Sequence, residues 1–177
     1  MNIGHGAIQA ASALDQFNEC TLPYNVTIRN NKFISNIYLQ PEPLYGDISL
    51  FVIGNGASVA PKATLTGAQI YNNFFTNNGN ACLSFRGAGD CAVKNNFFYE
   101  CCSRNISGEQ LDCIINGYNA GNVLVESNYN HYSLGGKTSG IFLEGLSVKD
   151  DFILKDNTNI KFYENSDVGP DVNVSKA

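Results

Sequence analysis

The amino-acid sequence predicts an all-β fold in which short parallel strands wind into a stack of coils, and three observations lead there. One segment type recurs five times in a common frame: VTIRNNKF (26–33), AQIYNNFF (68–75), CAVKNNFF (91–98), VLVESNYN (123–130) and FILKDNTN (152–159). A second type lies between these copies: AIQAAS (7–12), ISLFVIG (48–54), CLSFRG (82–87), CIINGY (113–118) and IFLEGL (141–146). An asparagine holds one place in the first type throughout, at Asn31, Asn73, Asn96, Asn128 and Asn157, separated by 42, 23, 32 and 29 residues. The shortest interval is the bare unit, and the extra length of the others can leave at the turns without disturbing the stack.

The elements follow in chain order. Residues 7–12 open with a strand of the second type. In 26–33 the apolar Val26 and Ile28 alternate with polar Thr27 and Arg29, the period of a half-buried strand, and the Asn pair that follows ends it in a turn. Residues 48–53 are the next strand of the second type, and 55–67 are an insertion. The pairs Ala68 and Ile70, Cys91 and Val93, Val123 and Val125, and Phe152 and Leu154 repeat the inward face of 26–33. Residues 103–111 form a second insertion before the strand at 113–118. The polar stretch 165–177, with Gly169 and Pro170, is expected to leave the coil as a tail, so that 1–164 make one domain. A start lacking any amphipathic helix over the first coil is expected of a piece of a longer β-structure.

The recurring Asn suits a sharp turn, because Asn tolerates left-handed backbone angles and its amide can hydrogen-bond the coil above. Two places later stand Phe33, Phe75 and Phe98, which would stack inside at the strand spacing of about 4.8 Å. In these Asn and Phe columns the chain resembles the right-handed parallel β-helix proteins of the pectate-lyase-like superfamily over about residues 7–160. The resemblance implies a single-stranded right-handed β-helix of about five coils with an Asn ladder and a Phe stack. A β-sandwich with Asn-rich loops is the alternative, although it leaves the Asn register unexplained.

Composition narrows the function. Charged residues are 15% of the chain against roughly 25% in an average domain, and the net charge is −5 with 11 Lys and Arg and no basic cluster, so nucleic acid is excluded as a partner. The longest apolar runs, such as 48–53, fall far short of the roughly 20 residues that span a bilayer, so no membrane insertion is expected. Residues 1–20 lack the pattern of a signal peptide. The six cysteines, Cys20, Cys82, Cys91, Cys101, Cys102 and Cys113, form no C-x-x-C pair and are read as buried free thiols. With only His5 and His131 beside them, neither a metal site nor a cofactor is expected.

On stacked coils, equivalent residues form columns, and binding residues are sought there. Arg29, Tyr71, Lys94, Glu126 and Lys155 fall in one outward column, with Lys94 and Glu126 placed to pair; Tyr71 and Lys94 are candidate ligand contacts, and a plain ladder of surface charges is the competing reading. If Cys82, Cys113 and Ile141 face in, then Leu83, Ile114 and Phe142 form an exposed apolar column suited to contact with an identical chain, and Phe85, Asn116 and Glu144 form the next. Phe85, Asn116 and Arg86 could line a saccharide groove. Glycan cleavage needs two carboxylates, one as acid and one as base or nucleophile, and the candidates are Asp90, Glu109, Asp112 and Glu144, with Asp47 and Glu100 behind them. Each also reads as an ordinary turn carboxylate.

The free cysteines, insertions, apolar column and abrupt start are together similar to those of bacteriophage tail spikes. That resemblance implies a homotrimer on the virion tail, assembled in the host cytoplasm, that binds bacterial polysaccharide and in some cases depolymerises it. Two other readings share the fold: a secreted, extracellular polysaccharide lyase or glycoside hydrolase, and a non-catalytic stalk or adhesin segment.

Overall fold

Alternating apolar and polar side chains give each repeated segment one face to bury, and strands of this kind are stable only when neighbours complete their backbone hydrogen bonds. The computed structural model describes residues 2–3, 7–13, 24–35, 37–38, 47–53, 65–78, 81–86, 88–101, 114–118, 121–131, 140–144, 151–163 and 173–176. The chain is all-β with parallel sheets, and among the described residues there is no helix.

The first sheet places Ile8–Ala13, Ile48–Ile53, Leu83–Arg86, Ile115–Tyr118, Gly140–Glu144 and Lys161–Tyr163 side by side in that order. The second runs Thr27–Arg29, Gln69–Tyr71, Ala88–Lys94, Gly121–Glu126, Asp151–Lys155 and Asn173–Lys176, with Leu65–Thr66 also paired to Ala88–Lys94. The third holds Lys32–Ile34, Phe74–Thr76, Phe97–Tyr99 and Tyr129–His131. Asn2–Ile3 and Ile37–Tyr38 form a small parallel pair. Parallel neighbours cannot be joined by a tight hairpin, and here the chain passes from first to second to third sheet before returning to the first.

Inward positions line up by register. Ile28, Ile70, Val93, Val125 and Leu154 are consecutive partners across the second sheet, and all are buried. In the third sheet Phe33 stacks on Phe75 with ring centroids 4.7 Å apart, and Phe75 on Phe98 at 5.0 Å. Each such ring gains about 1.5–3 kcal/mol from burial, and each stacked pair roughly 0.5–1.5 kcal/mol more. The column then changes character, because the partner of Phe98 is Asn130, fully buried, whose Nδ2 donates to the Asn159 carbonyl at 3.2 Å. Among the described residues its Oδ1 has no hydrogen-bond partner.

The turn between second and third sheets divides its work between two residues. The left-handed angle belongs to Asn30, Asn72, Asn95, Ser127 and Asp156, with φ between 52° and 57°, each one place before the recurring Asn expected to adopt it. The following Asn is thereby free to turn its amide toward the next strand. The backbone N–H of Asn31, Asn73, Asn96 and Asn128 each donates to Oδ1 of the next Asn in the series at 2.9–3.0 Å, and each Nδ2 donates to the same oxygen at 3.0–3.2 Å. Nδ2 of Asn73, Asn96, Asn128 and Asn157 also reaches back to the carbonyls of Ile28, Ile70, Val93 and Val125.

The first sheet differs from expectation in register. Leu83 pairs with Ile48, Ile115 and, one strand on, Ile141, rather than lying in line with Ile114 and Phe142. Asn173–Lys176, within the stretch expected to form a tail, pairs in parallel with Asp151–Leu154.

Replacing Asn96 by Ala strands the buried N–H of Asn73, at about 1–3 kcal/mol, and removes the second hydrogen bond of the Ile70 carbonyl, which keeps its ladder partner, at about 0.5–1.5 kcal/mol. A loss of about 2–4 kcal/mol is therefore expected in urea unfolding, against less than about 1 kcal/mol for Asn31→Ala at the exposed end. Equal losses would contradict this account of the turn.

Candidate functional site

The outward column of the second sheet forms as the frame requires. Arg29, Tyr71, Lys94, Glu126 and Lys155 are consecutive partners, the Arg29 guanidinium donates to the Tyr71 hydroxyl at 3.2 Å, and Lys94 and Lys155 grip the two oxygens of Glu126 at 3.1 and 3.2 Å. The hydrogen bonds from Lys94 and Lys155 hold the Glu126 carboxyl below the usual carboxylate range. These groups are solvated, so the triad adds little to stability, and the ammonium of Lys94 is already engaged.

Asp90 is an exposed corner residue with φ 52°. It stands in register with Asn25, Gly67 and Asn122, which also have left-handed angles, and Asn122 Nδ2 donates to its carboxylate at 3.1 Å. This is the arrangement of a turn carboxylate. Asp47 is fully buried and accepts a hydrogen bond from Asn78. Glu100 sits at the corner leaving the third sheet with φ 50°, and its carboxylate holds the Tyr99 hydroxyl, which raises the phenol's pKa.

Phe85, expected outside as a groove residue, is 1% exposed and belongs to the core, as do Leu83 and Ile114 of the expected apolar column. The physical reason is that this sheet is buried on both faces at Ile48–Ser49 and Leu83–Phe85: Ser49 and Ser84, which alternate with Ile48, Leu83 and Phe85, are buried too. Arg86 and Glu144 occupy one register position on either side of Tyr118, and Asn116 pairs with Ser84 and Phe142, so Asn116 and Glu144 are not in line. Glu109 and Asp112 lie outside the described residues, as does the insertion at 103–111. Among the described residues no three His, Cys, Asp or Glu side chains group as a metal site would.

The outer face of the third sheet carries a feature that the sequence reading passed over. Phe74 stacks on Phe97 at 5.5 Å, Phe97 on Tyr129 at 5.0 Å, and in the neighbouring column Tyr99 on His131 at 4.9 Å. Phe97, Tyr99 and Tyr129 are each more than a third exposed. The signal was present in the frame: if Phe75 and Phe98 point in, the flanking Phe74, Phe97 and Tyr99 must point out.

Cys82, Cys91 and Cys101 are buried, Cys91 and Cys101 as the free thiols expected, and Cys20, Cys102 and Cys113 lie outside the described residues. Burial pushes the Cys91 thiol up to about 11, with the Asp90 charge adding to it and a backbone hydrogen bond opposing. No known protein-family model matches the chain, and no curated protein or solved structure matches it.

Two outcomes follow from these titrations. Because the folded-state pKa of Glu126 is depressed, its contribution is present at pH values above the ordinary carboxylate pKa of about 4.3 and is lost as pH falls through the depressed value. The stability difference between the protein and Glu126→Gln is expected to vanish at low pH and to shrink in salt; a difference independent of both would contradict the ion pairs. In native protein at about pH 8, where Cys91 remains protonated, a thiol-disulfide reagent is expected to label it far more slowly than in urea. Equal rates would contradict its burial.

Proposed function

We propose that this chain is a right-handed single-stranded parallel β-helix of about five coils, with an Asn ladder and a Phe stack, and that it serves as a tail-spike-like protein binding bacterial surface polysaccharide. The cyclic passage through three parallel sheets and the side-chain bonds between recurring Asn residues support the architecture. The observation that carries the binding reading is the outer face of the third sheet, where aromatic rings repeat about every 5 Å along an exposed surface. Solvent-exposed rings in rows are costly to leave wet and suited to an extended partner with apolar C–H faces and hydroxyl edges.

Binding without cleavage is favoured by the described carboxylates, since Asp90 is tied to a corner and Glu126 to two lysines. Glu109, Asp112 and Glu144 remain the candidates for a depolymerising site. Assembly as a homotrimer on a virion tail rests on the resemblance to tail spikes, because Leu83 and Ile114, which were to form the contact, are spent inside the chain.

The test is light scattering followed by incubation with a panel of bacterial capsule and O-antigen polysaccharides, read by retention, reducing ends and the ultraviolet absorbance of unsaturated sugar ends. The expected result is a trimer, three times 19.2 kDa, that retains at least one polysaccharide. Failure to retain any of them would overturn the binding reading, and a monomer would overturn the trimer.

A further inference from the structure

The corner where the second sheet passes into the third gathers positive charge that is scattered along the chain. Arg29, Lys94 and Lys155 each close a strand of the second sheet, and Lys32 opens a strand of the third. Among the residues whose side chains are described, these are all of the Lys and Arg, with Lys94 half-buried and the others exposed. Of the described acids only Glu126 and Asp156 share the corner, since Asp90 and Glu100 stand at other corners and Asp47 is buried.

The charge is uneven along that corner. Arg29, Lys32 and Lys94 fall within two strand spacings, about 10 Å, and among the described residues no acid stands between them. Glu126 is the first acid met, and because Lys94 and Lys155 share it at 3.1 and 3.2 Å, the triad keeps one positive charge in excess. Arg29 donates to the neutral Tyr71 hydroxyl and so keeps its whole charge, while Lys32 has no carboxylate partner among the described residues.

Beside the cations runs a column of amides. Asn30, Asn72 and Asn95 are exposed, and their backbone N–H groups bond the next strand. Among the described residues their side-chain amides bond nothing, unlike those of Asn31, Asn73 and Asn96, which are spent in the ladder. On the far flank Phe97 is stacked on one face by Phe74 and on the other by Tyr129, so what it exposes is its edge, the positive side of an aromatic ring. Cations, free amides and ring edges thus lie in three parallel columns that repeat with the strands.

We infer that this corner binds a linear anionic glycan lying along the stack, its carboxylate or phosphate groups meeting Arg29, Lys32 and Lys94 and its hydroxyls meeting the amides of Asn30, Asn72 and Asn95. The inference rests on the polysaccharide-binding reading and deepens it by naming the charge of the glycan and the columns that hold it. A neutral glycan gains nothing from the three cations. A single-stranded nucleic acid carries the same sign of charge, but it is held by bases stacking on open ring faces and by many phosphate contacts. Here both faces of Phe97 are occupied and the chain carries a net charge of −5.

The experiment is calorimetric titration of the full chain with an alginate oligomer, which has a carboxylate on every sugar, and with a polyribitol-phosphate teichoic acid. Carboxyl-reduced alginate and oligo-dT are titrated beside them. Saturable binding of at least one anionic glycan is expected, weakening as salt rises, with none for the reduced alginate. The double variant Arg29→Ala with Lys32→Ala should bind at least about fivefold more weakly, and Arg29→Lys with Lys32→Arg, which keeps both charges, should bind as the protein does. Glu126→Gln, which releases two ammonium groups, should bind about threefold more tightly. No binding of either anionic glycan, equal binding of alginate and its reduced form, equal affinity in the double variant, or tighter binding of oligo-dT would overturn the inference. If a capsule or O-antigen polysaccharide is retained equally by the protein and the double variant, the corner fails while the polysaccharide reading stands. If none is retained but alginate binds with the expected losses, the corner stands and that reading fails.

Discussion

A backbone N–H buried at a turn between parallel strands must find an acceptor, and the strand ladder does not supply one where the chain changes sheets. Here that acceptor is the side-chain oxygen of the next Asn in the series. Because each oxygen takes two donors from its predecessor while each Nδ2 also bonds a carbonyl behind it, a slip of one residue in any strand would break several bonds at once. The Asn series thus sets the register of the second and third sheets, and with it the inward Phe stack and the outward Lys94–Glu126–Lys155 triad.

The same repeat that fixes the interior also patterns the surface. Every outward position becomes a row, charged on the second sheet and aromatic on the third, while the first sheet is buried on both faces at Ile48–Ser49 and Leu83–Phe85. Asn130 marks where the pattern breaks: a buried amide stands where Phe33, Phe75 and Phe98 would place a ring, and directly outside it the aromatic rows end at Thr158. Interior and surface change together at this one level.

Strand positions in the second and third sheets were legible because two signals, alternation and the Asn frame, agree at 26–33, 68–75, 91–98 and 123–130. The first sheet is harder to read because alternation carries little information where both faces are buried: with Ser49 and Ser84 enclosed about as fully as Ile48 and Leu83, alternation in 82–87 does not tell buried from exposed, and Phe85, expected outside, is buried. The strand Asn173–Lys176 has a single apolar residue, Val174, too few for alternation to mark it as a strand. The aromatic face is legible in the same frame, since the neighbours of an inward Phe must point outward, whereas a corner acid such as Asp90 has a sufficient structural reason to be there.

The central claim is that Asn side chains satisfy the turn amides, and amide hydrogen exchange measures it directly. The backbone N–H groups of Asn73, Asn96 and Asn128 are expected to exchange as slowly as those of Ile70, Val93 and Val125 in the adjoining core strands, opening only with the whole stack. Exchange of these three amides at rates near those of an unstructured chain, with the core strands still protected, would contradict it.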